Sequence, residues 1–538
     1  MDIKNITKKI LNMKNILGTF LLALVLLSAC KKEDLLPEAS RIFRPTAAKD
    51  GINAPSNYIE VTWLASKEAV SYTAQVSIDS FKTVAVSMDV DTNYALFENL
   101  LYDQLYQIRV KAIAADTSKN SKFADLEPIK TPKFPTILKS PTLNDLSDAA
   151  ALVSWRKEGL PVTAIKVYLE DKVTLVREIS LTNIDRDSTY RLVSNLQPTT
   201  KYYMELYSGT TLRGYDYYTT KAPFSGILVD LREIEGRPNV LNDTLPTVAS
   251  GSTIILKKGQ TYNLTSSYKL DKTLTFVSGN DPVNPNLAVI KIPNNSSLDV
   301  KAGATIDSVV FRNVKLIADN GYGSSYVINV GSSCNIGTLK FDAVEASDFR
   351  GLARIKTGGV TIDRFEINNS IIDSIGSYGV VNVDNAGAQI KDFVFTNSTF
   401  AKIQYFVSSK NSSNSVLVES CTFNEAPLAG KYLINFSTNP TNLVTQGIKI
   451  YNSILGIGDA NGGTSAAVKG YSAASGVIID VNNTFTLADR VATNDFANIT
   501  AYIRPSTEVF TSPSTFNFKI KDNGFSGRSS AGDPRWRL

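Results

Sequence analysis

Between Ile306 and about Phe485, apolar and polar residues alternate in short bursts, and one brief phrase keeps returning. Its copies begin at Val310, Leu339, Phe365, Val394, Val416, Lys449 and Asp480, about thirty residues apart. Alternation with period two predicts a strand rather than a helix in each copy. A fixed repeat of this length predicts one supersecondary unit per copy, stacked on its neighbours to bury a shared core. Asn313, Asn369, Asn397, Asn452 and Asn483 close five of the phrases, while Ala343 and Ser420 stand at that point in two others. Asparagine tolerates the left-handed backbone of a turn, and its amide can bond the rung above or below, so these residues are expected to form a structural ladder.

A second alternating run follows each phrase: Val327 to Val330, Leu352 to Lys356, Val380 to Asp384, Phe406 to Lys410 and Leu433 to Phe436. Period two turns Ile328, Val330, Ala353, Ile355, Val381, Val383, Ile434 and Phe436 inward. Arg354, Lys356, Asn382, Asp384, Ser408, Lys410 and Asn435 then face out. Rungs about 4.8 Å apart would set them side by side as one polar strip. Asp348 and Arg350 lie in the preceding turn. Tyr326, Tyr405 and Tyr432 align just ahead of the run, as an interior aromatic stack or as platforms for sugar rings. Tyr378 is out of that register by one.

The pattern differs upstream. Residues 40–131 and 132–222 repeat one order of short strands: Val61-Thr-Trp63 against Val153-Ser-Trp155, Tyr72 to Ser77 against Ala164 to Leu169, and a leucine with a tyrosine six residues later, Leu100/Tyr106 and Leu196/Tyr202. Pro132, Pro135 and Pro223 mark stiff joints. The order resembles the fibronectin type III domain, whose tryptophan fills a sandwich core and whose tyrosine makes a corner. Leu196-Gln-Pro198-Thr-Thr200-Lys-Tyr202 matches that family's motif in full, and the first copy keeps only the leucine and tyrosine. From 225 to 538 the run Gly251-Ser-Thr-Ile-Ile-Leu-Lys-Lys-Gly259-Gln-Thr-Tyr262 resembles the opening of pectate-lyase-like right-handed β-helices, with serine where aspartate is usual. Leu231 to Gly236, with Val240 and Leu241, is expected to supply the capping helix. The fold expected is all-β: two fibronectin type III sandwiches followed by a right-handed parallel β-helix.

The N-terminus carries an address. Lys14 is followed by about a dozen apolar residues, too few to span a bilayer, and then by Leu27-Ser28-Ala29-Cys30. Residues 1–30 therefore read as a signal peptide whose end resembles a lipobox, with Cys30 as the lipidated residue. Residues 31–39, opening Lys31-Lys-Glu33-Asp34, form a tether that resembles the export signal of Bacteroidota surface lipoproteins. The expected location is the outer membrane, lipid-anchored and exposed at the cell surface. The closing Gly532-Asp-Pro534-Arg-Trp536 resembles the end of lipoproteins from polysaccharide-utilisation systems, whose β-helix families have no assigned function.

Charge and composition narrow the chemistry. The formal charge is +5 (56 basic minus 51 acidic residues). Lys4, Lys8, Lys9 and Lys14 against Asp2 account for +3 of it, and the remaining +2 gives no basis for a nucleic-acid partner. The chain has no histidine, which excludes histidine-ligated zinc, Ser/His/Asp catalysis and imidazole acid/base steps. Cys30, Cys334 and Cys421 are too few and too scattered for a disulfide framework or a metal knuckle.

The outward strip is the candidate site. Arg354, Lys356, Asn382, Asp384, Lys410 and Asn435 would bind an acidic, pectin-like polysaccharide. In the β-helix lyases that the chain resembles, a lysine or arginine takes the proton α to a uronate carboxylate, so Arg354, Lys356 and Lys410 are the candidates for that step. No cofactor or metal is expected, with calcium implied only for a lyase. Two other readings stay open: a solvent-exposed salt-bridge ladder on a structural or adhesive surface protein, and a lyase acting on a uronate polymer.

Overall fold

The computed structural model describes residues 41–319, 323–436 and 441–538. The signal peptide, the tether and Cys30 lie outside the described residues. Two compact units, divided after Thr136, are taken separately.

In the first unit, a three-stranded antiparallel sheet (Ala47–Asn53, Ile59–Trp63, Tyr94–Phe97) faces a four-stranded one (Val86–Val90, Ala69–Ser77, Leu105–Ala114, Ala124–Lys130). Ile59, Val61 and Trp63 alternate inward with Ile108, Val110 and Phe97, all fully buried. The Tyr106 hydroxyl accepts the Leu101 N–H at 2.9 Å. This is the tyrosine corner of a fibronectin-III-like sandwich.

The second unit opens with another such sandwich. The sheet Leu175–Ser180, Ala164–Leu169, Lys201–Ser208 and Thr211–Thr219 packs on Tyr190–Val193 and Ala151–Ser154 around Trp155, Leu206 and Tyr218. The Tyr202 hydroxyl accepts the Gln197 N–H at 2.8 Å.

From Ile227 the chain winds into a parallel β-solenoid with three sheets of ten, ten and nine strands. The first sheet carries the recurring phrase, in register from Val310↔Lys340 through Lys449↔Asp480. Its inward rings run from Phe276 through Phe311, Phe341 and Phe365 to Phe393, with centroids 5.0–6.5 Å apart. Each is buried, which makes this column the main apolar spine of the core.

The phrase-ending residues turn the chain from the first sheet into the second. Asn313, Ala343, Asn369, Asn397, Ser420, Asn452 and Asn483 all have φ between 44° and 56°, where asparagine is tolerated and larger side chains are strained. The amide ladder is discontinuous: Asn483 donates to Asn452 at 2.8 Å, but Asn397 donates to Asn368 at 3.1 Å. The continuous ladder is one residue further on. The Ser370 hydroxyl takes the Val344 N–H, Ser398 that of Ser370, Ser453 that of Cys421 and Thr484 that of Ser453, at 3.0–3.4 Å. Each hydroxyl also donates to the carbonyl two residues before it, so a buried hydroxyl satisfies two backbone groups per rung.

The cap is smaller than the sequence suggests. Ile227–Asp230 pairs with Ser252–Leu256 as a first rung, and the Leu231 N–H bonds the Ile255 carbonyl. Only Val240–Thr244 is helical, and Val240, Leu241 and Leu245 close that end of the core.

At the other end the chain folds back. The hairpin Phe510–Ser512 and Asn517–Ile520, with Val509, Phe518 and Phe525, packs with Ala401, Ile454 and Phe485 in a second apolar core. The closing Asp533–Trp536 therefore lies along middle rungs: Thr399 donates to Asp533 at 2.7 Å and accepts the Trp536 indole N–H at 2.8 Å, and Arg535 reaches Asn369 at 2.8 Å.

Candidate functional site

The third sheet carries the predicted strip. Its register aligns Asn329, Arg354, Asn382, Ser408, Asn435 and Ser472 as one outward column. Lys356, Asp384 and Lys410 follow just past the strand ends Ile355, Val383 and Ser409. The inward set holds as expected, but Val327, Leu352, Val380, Phe406 and Leu433 are buried as well. The chain is still rounding its corner at those positions, so two successive side chains point inward before strict alternation begins.

Asp384 is the hub of the strip. One carboxylate oxygen takes Arg354 Nε at 3.0 Å and Nη2 at 2.5 Å, and the other takes Lys410 Nζ at 2.7 Å. Burial pushes the Asp384 carboxyl up, but the bonds from Lys410 and Arg354 outweigh it and hold it below the usual carboxylate range. Burial lowers the Arg354 guanidinium, while the bond to Asp384 and the nearby tyrosines more than reverse that, leaving it a poor proton acceptor. A similar arrangement recurs on the first sheet, where Glu366 sits between Lys340 at 2.8 Å and Arg364 at 2.6 Å. One carboxylate between two cations is thus a recurring means of balancing charge on this scaffold.

Two cations beside the hub are not neutralised in this way. Among the described residues neither Arg350 nor Lys356 has an ion-pair partner. The Lys356 arm lies across Gly331, where a Cβ would stand 2.8 Å from its Cε, and the lysine is exposed. The Arg350 guanidinium lies 4.8 Å from the Tyr378 ring centre, and that of Arg354 lies 4.0 Å from it.

The tyrosines do not form one continuous stack: Tyr326 is buried, whereas Tyr378, Tyr405 and Tyr432 are half-buried. Tyr326 meets Tyr378 edge to face at 5.6 Å. The contact exists because Gly351 lies between them: a Cβ there would come within 2.8 Å of Tyr378 Cβ and 3.1 Å of the Tyr326 ring. The one-residue offset of Tyr378 is therefore what brings the pair together. Tyr405 and Tyr432 are half-buried, with Lys431 at 5.6 Å and Lys469 at 5.1 Å from their rings. Asn382 and Asn435 hold their places in the column. Asn329 Oδ1 and the Tyr326 hydroxyl are buried without a hydrogen-bond partner.

Residues 260–403 match a domain of unknown function (DUF4957) and residues 416–536 a second domain of unknown function (DUF5123). No curated protein matches the chain. Among solved structures, the chain is similar to the FN1–FN3 domains of chicken CNTN1, at 15% identity over 34% of this chain and 67% of that one, with a TM-score of 0.15. It is also similar to a two fibronectin type-III domain segment from chicken tenascin, at 16% identity over 33% of this chain and 99% of that one, with a TM-score of 0.16.

Proposed function

We propose that this chain is a lipid-anchored surface protein of the outer membrane, tethered through Cys30, that holds an acidic, uronate-containing polysaccharide against the third sheet of its solenoid. Fibronectin-III-like sandwiches followed by a β-solenoid fit a surface or adhesive protein. The observation that carries the finer reading is the pair of cations, Arg350 and Lys356, left unmatched on either side of Arg354 and beside the Tyr326/Tyr378 pair. They lie near the two ends of the strand Gly351–Ile355, about 20 Å apart by strand rise, room for several sugar units. Arg354 and Lys410 present guanidinium and ammonium groups oriented by Asp384, with Asn382 and Asn435 beside them for sugar hydroxyls.

For Arg354, binding is favoured over elimination. A lyase needs a base able to release and take a proton near neutral pH, whereas Arg354 is held charged by Asp384.

Affinity electrophoresis against a panel of neutral and uronate polymers, read together with absorbance near about 235 nm for unsaturated products, tests the reading. Retardation by a uronate polymer, lost in Arg350→Ala/Lys356→Ala, is expected without a rise in absorbance. No retardation by any uronate polymer would refute it, and a steady rise would make the protein a lyase. Cys30→Ser is expected to move the protein from the membrane to the soluble fraction.

A further inference from the structure

A second site lies at the corner that leads from the second sheet to the third, where the returning C-terminal segment faces Lys402 and Glu425. There a cleft of ≈ 750 Å³ opens between Lys402, Asn424, Glu425 and Asp459 on one wall and Asp489 and Ser506 on the other. Its size is that of a small-ligand pocket.

The cleft is rich in hydrogen-bond acceptors. Asn424 ends the strand Thr422–Asn424 and is 3% exposed, yet its Oδ1 has no hydrogen-bond donor. Gly456 leaves room for this oxygen and the Ser506 hydroxyl to converge, since a Cβ there would lie 2.8 Å from the first and 2.9 Å from the second. Ser506 points its own proton at Asp489, 3.0 Å away. Asp459 is 4% exposed, and its carboxylate accepts only the Asn461 N–H, at 2.7 Å, among the described bonds. Glu425 is half-buried at a turn with φ 49°. Among the described residues Glu425, Asp459 and Asp489 have no ion-pair partner. Burial, and then Asp459, push the Glu425 carboxyl up, against a smaller opposing pull from Lys402 on the same wall. Acceptors left unsatisfied in a protein interior call for a donor from outside.

We infer that this cleft binds a cationic, hydroxyl-rich ligand, an amino sugar, with its ammonium group between Glu425 and Asp459 and one donor on Asn424 Oδ1. A bare divalent ion would need oxygens gathered around one point, and no three acidic groups among the described residues are so gathered. A uronate would be repelled. The site is therefore independent of the third-sheet strip and opposite to it in charge preference.

Titration calorimetry of the full-length protein with glucosamine, well below the pKa of its amine, tests the inference beside parallel titrations with glucose, N-acetylglucosamine and calcium chloride. Glucosamine is expected to bind, with affinity lowered about tenfold by Glu425→Gln and by Asp459→Asn and unchanged by Lys356→Ala. Matching thermal melts of the two variants and the parent exclude misfolding as the cause. Equal binding of glucose or N-acetylglucosamine, a calcium isotherm that Glu425→Gln removes, or variants that bind as the parent does would each overturn it.

Discussion

Replacing Asp384 with asparagine separates the two roles that the third-sheet strip could have. Asp384 is a fifth exposed and accepts three charged hydrogen bonds, two from Arg354 and one from Lys410. Hydrogen bonds to charged groups contribute about 1.5–3 kcal/mol each when protected, and exposed ion pairs about 0–1 kcal/mol. Lys410 is 44% exposed, so its share lies near the lower figure. Asparagine keeps one acceptor oxygen but leaves two cations facing each other, for a net loss of about 2 kcal/mol. In a domain of this size that lowers the melting temperature by roughly 4 °C.

The sign with pH follows from the lowered carboxyl. The stabilisation is present above the unfolded carboxylate value of 3.8 and is lost as pH falls through the folded value below it. The gap between the parent and Asp384→Asn should therefore hold at neutral pH and close in acid.

Binding should move the other way. The variant frees Arg354 and Lys410 and adds one positive charge to the strip, so a uronate polymer should bind more tightly, and more so at low salt. Differential scanning calorimetry and affinity electrophoresis on the same preparation read both effects. A loss of stability with no gain in binding would make the strip a salt-bridge ladder only. No loss of stability at neutral pH would refute the pairing argument itself.

Other positions test the scaffold. Burial, with Asp348 as a lesser cause, pushes the Asp373 carboxyl up to about 6, so its contribution is full below 3.8 and lost as pH rises through about 6. Asp373→Asn should stabilise by about 1 kcal/mol at neutral pH, allowing for partial exposure, and do nothing in acid, as read by melting across pH. Ser398→Ala orphans the Ser370 N–H and leaves the Thr396 carbonyl only the Asn369 N–H, and should cost about 1–3 kcal/mol. Cys421→Ser occupies the same ladder and should stay within about 1 kcal/mol of the parent. The Cys421 thiol is buried, its pKa pushed up by that burial, and it should resist iodoacetamide until the protein is denatured. Removing residues 532–538 takes away the Asp533, Arg535 and Trp536 contacts and should raise hydrogen exchange at Thr399 and Thr422 before it affects the first rungs.

What the sequence made legible was what repeats. Alternation identified the strands of the first and third sheets, and the recurring asparagines fell at the left-handed turns because a turn between sheets demands that backbone at every rung. The hydroxyl after four of the five asparagines was visible as Ser370, Ser398, Ser453 and Thr484, but its role depends on a backbone group one rung away. The Leu231 segment looked amphipathic because its apolar residues meet the core from a turn. Asp384 could be placed on the outer face from periodicity, but periodicity cannot say that Arg354, and not Lys356, bends toward it. The Tyr326/Tyr378 pair was hidden because it needs Gly351 between them, a gap rather than a residue. The acceptor-rich cleft was invisible because Glu425 and Ser506 are 81 positions apart (506 − 425) and no repeat links them.

The same long-range contacts bear on the two domains of unknown function. The matched stretches end and begin at residues 403 and 416, yet all three sheets pass through that interval: Thr399–Ile403 pairs onward with Thr422–Asn424, and Val407–Ser409 with Tyr432–Asn435. A parallel strand cut there would expose an open edge and the apolar rings Phe400, Phe406 and Phe423, which pack together at 4.7–5.1 Å. The later stretch then returns across the boundary, with Asp533 on Thr399 and Arg535 on Asn369. Each stretch supplies what the other lacks, rungs to stack on in one direction and a covering segment in the other. The two are therefore halves of one folding unit, and the acceptor-rich cleft, with Lys402 before the boundary and Asp489 and Ser506 after it, belongs to neither half alone.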